Sequence, residues 1–235
     1  MAEEDFDIMS LAAYLHLNPD QVRKMAERDK LPGRRVGGKW RFSQPEIHQW
    51  FEERIGLSDE QELDEVDKML DRNQVIANDS VRIPDMLSVD NIYVPFLART
   101  KSSAIKQICD LAGKTGRLWD PGKMAEAIKN REELHPTALG NGVALLHPRR
   151  PMPSIMGDPF LALGITTSGI PFGGPRGCLT DVFFLIGSTD ESLHLRVLAR
   201  LSRLIQQPDL LENMRSAETP DTAWHAIKEV DDALE

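Results

Sequence analysis

A chain of 235 residues has room for one large or two modest domains. Its formal net charge of −9, from 28 basic and 37 acidic side chains, argues against general coating of nucleic acid and leaves room for local basic patches. The two cysteines, Cys109 and Cys178, are too few and too far apart for a disulfide scaffold or a zinc cluster, and no apolar run approaches the roughly 18 to 20 residues of a membrane helix. The acidic start MAEEDFDIMS has neither the charged nor the apolar region of a signal peptide. A cytoplasmic chain is expected, with no metal, no cofactor and no membrane partner.

The first elements are short. Ile8 to Leu17 is apolar at helical spacing. Asn18 then offers an N-cap, Pro19 suits the first helical position, and Gln21 stands at the capping-box position, so a second helix runs to about Arg28. Gly37-Gly38 separates two short β-prone segments, a hairpin signal. Ser43-Gln44-Pro45-Glu46 opens a third helix, with Trp50 and Phe51 as apolar anchors. Eight basic residues fall between residues 21 and 41, against Glu27 and Asp29. The order helix, turn, helix, hairpin, helix, with LPGRRVGGKWRF and the Pro-Glu helix start, resembles the excisionase or MerR-like winged helix-turn-helix family. That resemblance implies binding to double-stranded DNA. Gln21, Arg23, Lys24 and Arg28 would face the major groove or nearby phosphates, and Arg34, Arg35, Lys39 and Arg41 would be wing residues. Arginine suits forked contacts to phosphate or guanine, whereas a solvated basic face is the plainer alternative.

Residues 58 to 72, SDEQELDEVDKMLDR, are acidic and helix-prone, with a narrow apolar stripe. They read as a linker helix, either a dimer contact or a solvated spacer. The expected domains are therefore 1–56, a linker at 57–79, and 80–235.

From about residue 80 helices and strands alternate. Strands are expected near 91–97, 142–147, 161–171 and 180–188. Helices are expected over 102–112, from Asp120 through DPGKMAEAIKNREEL, over 193–206, and near 208–216 and 221–234. This pattern predicts an α/β fold, a mixed sheet with helices on both faces, behind the small winged helix-turn-helix domain.

Three segments of this region carry chemistry: NREELHPTALGNGVALLHPRRP, LTDVFFLIGSTD and ESLHLRVLARLSRLI. Their order and spacing resemble the enzyme IIA family of the bacterial phosphotransferase system, of the fructose, mannitol and nitrogen-regulatory type. The resemblance covers roughly residues 84 to 234. It implies that His147, at the end of a strand, accepts a phosphoryl group from an HPr-like carrier. Arg131 matches the arginine near the end of the preceding helix, Asn141 the turn asparagine, and His194 the second histidine. Neutral imidazole is a competent nucleophile, and an arginine can offset the charge of a phosphoryl group.

The chain departs from that pattern at Pro148, where glycine is usual, and at Leu146, where proline usually precedes the acceptor. Pro148 removes a backbone donor. Arg149 and Arg150 are candidates to replace the lost charge. Three functions remain open on the sequence. One is a regulator that couples phosphorylation of His147 to DNA or partner binding. Another is a sugar-transport IIA protein that passes phosphate to a IIB partner. The last is a binding-only IIA-like protein. His16, His48, His135 and His225 lack a supporting constellation and read as surface or packing residues.

Overall fold

The computed structural model describes residues 5–15, 17–44, 46–47, 49–50 and 81–234. The acidic helix expected over 58–72, the anchor Phe51, and His16 and His48 lie outside the described residues. The chain divides into two compact units, Met1–Ser80 and Val81–Glu235.

In the first unit, α1 (Ile8–Leu15) is followed after three residues by α2 (Pro19–Glu27). Both starts are set by capping. Asp7 and Ser10 exchange side-chain and backbone hydrogen bonds at 2.8 Å, and the Ser10 N–H holds the Asp7 carboxyl below the usual carboxylate range. Asn18 Oδ1 accepts from Asp20 N at 2.9 Å, while Gln21 Oε1 accepts from Asn18 N at 3.0 Å. Strands β1 (Arg34–Val36) and β2 (Lys39–Arg41) pair antiparallel, Val36 opposite Lys39. Gly37 and Gly38 turn between them with φ of 58° and 77°, left-handed values that glycine adopts without steric cost. Leu11, Leu15, Val22, Ala26, Phe42 and Ile47 are buried and form this unit's core. Trp50 donates its Nε1–H to the Lys30 carbonyl at 2.8 Å.

The second unit is a four-stranded mixed sheet in the order β3-β5-β6-β4. Its strands are β3 (Ile92–Tyr93), β4 (Val143–Leu146), β5 (Phe160–Pro171) and β6 (Leu179–Gly187). The outer pairs are parallel, β3 with β5 and β4 with β6, and the central pair β5–β6 is antiparallel. Strand β3 is shorter than the 91–97 expected, since Pro95 has no N–H to continue the ladder. A four-residue helix, α3 (Ile83–Met86), precedes it and was not expected.

The other helices are α4 (Lys101–Lys114), α5 (Pro121–Leu134), α6 (Glu191–Leu204), α7 (Pro208–Ser216) and α8 (Pro220–Ala233). Asp120 caps α5 by accepting from Lys123 N at 2.9 Å, as the sequence suggested. Ala144, Leu146, Ala162, Phe183 and Leu185 pack against Ile105, Ile108, Met124 and Ile128 of α4 and α5. The alternate residues Val143, Leu145, Leu161, Leu163, Val182 and Phe184 are buried too, so the sheet is covered on both faces. Helix α6 packs on β6 and belongs to the second face.

Helix α8 is locked by Asp231, which is fully buried. Arg200 Nε donates to its Oδ1 at 2.7 Å, and Arg200 Nη2 donates to its backbone carbonyl at 2.7 Å. Removing one member of a buried pair strands the other charge. Asp231→Ala is therefore expected to destabilise the second unit by about 3 kcal/mol. A lowered urea midpoint, with faster amide exchange along α8, is the outcome to look for.

Candidate functional site

His147 follows β4 directly, and the two-residue period of the strand sets its direction. Val143, Leu145 and His147 share one face, opposite the face that Ala144 and Leu146 turn toward α4 and α5. That is the α6 face. Because β4 and β6 are parallel and in register, Leu146 opposite Leu185, both strands end at the same rim. From that rim β6 passes through Ser188 and Thr189 into α6, whose N-cap Asp190 accepts from Leu193 N at 2.9 Å. His194 lies in the first turns of α6, on the buried side shared with Val197, Leu198 and Leu201. The two rings meet with centroids 4.9 Å apart and planes inclined at 57°.

Both rings are buried, His147 at 3% and His194 at 6% exposure. His147 Nδ1 lies 2.8 Å from the Leu145 carbonyl oxygen. A carbonyl only accepts, so Nδ1 carries the proton and donates, and in the neutral ring Nε2 holds the lone pair. This is the tautomer a nucleophilic Nε2 requires. On His194, Nδ1 lies 3.3 Å from the Ser188 hydroxyl, and Ser188 is itself buried at 2% exposure. Sequence reasoning did not single out Ser188, whose only signal was its place between a strand end and a helix cap.

The outer edge of β4 is covered by residues 137 to 139. Leu139 N donates to the Val143 carbonyl at 2.7 Å, Leu145 N to the Thr137 carbonyl at 3.4 Å, and Ala138 pairs antiparallel with Ala144. This antiparallel run brings the end of α5 toward the His147 end of the strand. Arg131 is buried there and donates from Nη1 to the His135 carbonyl at 2.8 Å, closing the helix C-terminus. Its neighbour Glu132 accepts from Thr137 N at 3.1 Å and from the Thr137 hydroxyl, and pairs with Lys101 Nζ at 2.8 Å. Those contacts fix the turn into the edge segment. Pro148 is buried, and Arg149 and Arg150 are exposed just beyond it.

Asn141 sits elsewhere. It lies at the start of β4, at the opposite end from His147. Its Oδ1 accepts from Val143 N at 3.3 Å, and its Nδ2 donates to the Ile205 carbonyl at 3.4 Å. The Asn141 carbonyl accepts from Arg215 Nη2 at 2.6 Å, and Arg215 also grips both Asp181 oxygens at 2.8 and 2.9 Å. Asn141, expected as a site residue alongside the histidines, is not brought to them, because it precedes β4 and His147 follows it, with the extended strand between them. Its chemistry is that of an Asx turn.

In the first unit the basic residues fall on α2 and the wing. Arg23 of α2 and Arg35 and Lys39 of the wing line one groove of about 400 Å³, with Glu27 and Trp40. The Arg35 guanidinium stands 5.0 Å over the Trp40 ring, its cross-strand partner, which holds the wing side chain in place. Lys24 and Arg28 are exposed and Arg41 is half-buried. Arg34 pairs with Asp5 at 2.9 Å, and the carbonyl of the Gln21 side chain is occupied by its cap, leaving the amide N–H groups as donors. His135 is exposed at the end of α5, and His225 stacks edge-on against Trp224 of α8. Among the described residues no group of histidine, cysteine and carboxylate is arranged to hold a metal, and no helix is long and apolar enough to cross a membrane.

Residues 85–230 match the family model described as phosphoenolpyruvate-dependent sugar phosphotransferase system, EIIA 2. The chain belongs to this EIIA family. Residues 10–55 match a helix-turn-helix domain model. The EIIA chain is 27% identical over 153 residues to the PTS system fructose-specific EIIABC component of Bacillus subtilis, covering 64% of this chain and 24% of that protein. It therefore spans about a quarter of that relative's length. It is 24% identical over 154 residues to the nitrogen regulatory protein of Pseudomonas aeruginosa, covering 64% of this chain and 97% of that one. Among solved structures, the nitrogen regulatory protein IIA-Ntr of Neisseria meningitidis aligns with a TM-score of 0.56 at 20% identity, over 62% of this chain and 98% of its own. That likeness shows the fold.

The tautomer of His147 is directly measurable in this EIIA chain. Nitrogen-15 spectra of the unmodified protein, at a pH where the ring is neutral, are expected to show Nδ1 protonated and Nε2 bare. The reverse pattern would contradict the Leu145 hydrogen bond.

Proposed function

We propose that this protein is a phosphotransferase-system regulator that accepts a phosphoryl group on His147 from an HPr-like carrier and couples it to DNA or partner binding. The observation that carries the reading is the His147 ring, held by the Leu145 carbonyl with its nucleophilic nitrogen on the side away from that bond and His194 alongside. In the transfer, the Nε2 lone pair forms a P–N bond as the donor's P–N bond breaks, and that bond's electron pair returns to the donor imidazole. Such a step is driven by positioning and charge stabilisation. Arg131, near the end of α5, and the exposed Arg149 and Arg150 supply positive charge around the acceptor.

The helix-turn-helix module supports the DNA half of the proposal, with Arg23, Arg35 and Lys39 lining one groove and Lys24 and Arg28 exposed on α2 and at its C-cap. A single module of this size binds weakly, so a homodimer or a protein partner is expected to share the load. Phosphorylation adds close to two negative charges, which alters any surface that meets DNA phosphates or a basic partner. A cytoplasmic location goes with this reading, since the chain would have to meet an HPr-like carrier there.

A second reading has support of its own. Pro148 lacks the backbone donor that glycine would offer, and the Nε2 atom of His147 is buried. Both favour an EIIA fold that docks onto a partner without accepting phosphate. Incubation with phosphoenolpyruvate, enzyme I and HPr separates the readings. One acid-labile phosphate by intact mass, lost in His147→Ala, supports the acceptor. Its absence from the folded wild type favours docking alone. Onward transfer to a IIB protein would shift the assignment to sugar transport.

The DNA arm has its own signature. Binding of duplex DNA is expected to weaken steeply with salt, and Arg23→Ala or Arg35→Ala is expected to lower the logarithmic salt slope by about one. Binding that is insensitive to salt and to both substitutions would contradict it.

A further inference from the structure

The His194 ring touches the acceptor, yet its usefulness depends on which nitrogen carries the proton. A neutral His194 protonated at Nδ1 presents a bare Nε2, which would repel a phosphoryl oxygen. Protonated at Nε2, it presents a hydrogen-bond donor. Ser188 decides between these states. Its hydroxyl is buried at 2% exposure, and its partner among the described residues is His194 Nδ1, at 3.3 Å.

A buried O–H with one partner donates to it, since an unmade donor costs about 1 to 3 kcal/mol. If Nδ1–H were the donor instead, the serine proton would be left without an acceptor in the interior. The serine therefore gives its proton to Nδ1, and the imidazole proton resides on Nε2. The neighbouring His147 is set the opposite way by the Leu145 carbonyl, with Nδ1 protonated and Nε2 bare. Two backbone-anchored groups, one carbonyl and one hydroxyl, thus give two touching rings complementary tautomers.

We infer that Ser188 is a positioning residue that holds His194 in its Nε2–H form, so that a donor, not a lone pair, faces a phosphoryl group arriving at His147. The inference rests on the proposed acceptor role of His147 for its functional consequence, and on Ser188 and His194 alone for the tautomer. Residue 188 is well placed for this work. It leaves β6 at the rim where β4 also ends, and the N-cap of α6 follows two residues later, so the hydroxyl and the His194 ring are held by one short connection.

The test begins with the unphosphorylated full chain, labelled with nitrogen-15 at histidine and studied at a pH where both rings are neutral. His194 is expected to show a protonated Nε2 and a bare Nδ1. In Ser188→Ala the two tautomers are expected to mix, and in Ser188→Thr, which keeps the hydroxyl, the wild-type pattern is expected to return. With phosphoenolpyruvate, enzyme I and HPr as the phosphoryl source, Ser188→Ala should slow labelling of His147 about tenfold, the loss of roughly one hydrogen bond. Ser188→Thr should restore most of the rate. A wild-type His194 protonated at Nδ1 overturns the inference, even if Ser188→Ala fails to fold. An unchanged labelling rate in a Ser188→Ala protein whose tautomer has mixed also overturns it. Absence of phosphate from the wild type would overturn the acceptor role instead, and the imidazole spectrum still decides the part played by Ser188.

Discussion

Val143 to Leu146 run parallel to Val182 to Leu185, and the meeting of the two histidines is a consequence of that pairing. Parallel strands deliver their C-terminal ends to one rim. There β4 places His147, and β6 continues through Ser188 into the helix that carries His194. In open sheets covered by helices, ligands are handled at the rim outside the carboxyl ends of the strands, where side chains have the rigid backing of the sheet. An antiparallel β4 would place residue 147 at the far edge, beside the turn that Asn141, Asp181 and Arg215 hold shut. The same parallel arrangement accounts for the directions of both rings. Period two turns His147 toward the α6 face, and the buried stripe of α6 turns His194 back toward it.

Around this core the rest of the site is built by edge protection. Strand β4 is an edge strand, and an uncovered edge would leave backbone groups unpaired. Residues 137 to 139 cover it, and Glu132 fixes that cover by gripping Thr137 and Lys101. The covering run begins at the end of α5, so the device that protects the sheet also brings the end of α5, with Arg131, toward the His147 end of the strand. Both members of the Arg-Glu pair hold this turn: Glu132 accepts from Thr137, and Arg131 donates to the His135 carbonyl at the helix end.

Much of this was readable in the residues. The helix caps at Asn18 and Asp120, the Gly37-Gly38 hairpin and the apolar run of β6 are local signals, and local signals survive into the fold. The two histidines were found through motifs, and the motif order carried their pairing. Other features were not local. Asn141 was grouped with the histidines because a motif fixes sequence distance, whereas an extended strand turns that distance into separation. Ser188 was missed because a serine between a strand and a cap reads as a connector, and its partner became visible only with the ring of His194 in place. The parallel sense of β4 and β6 depends on the crossover between them, which no local pattern encodes. Gln21 was readable in both its roles, and the structure assigns its side-chain oxygen to the cap.

The central claim is that the strand-end geometry makes Nε2 of His147 the atom that receives phosphorus. A correlation of phosphorus-31 with nitrogen-15 on the phosphorylated, histidine-labelled protein tests it most directly. The account predicts one phosphorus signal coupled to Nε2 of His147, with Nδ1 still protonated and bonded to the Leu145 carbonyl. Phosphorus coupled to Nδ1, or to any other histidine, would contradict it.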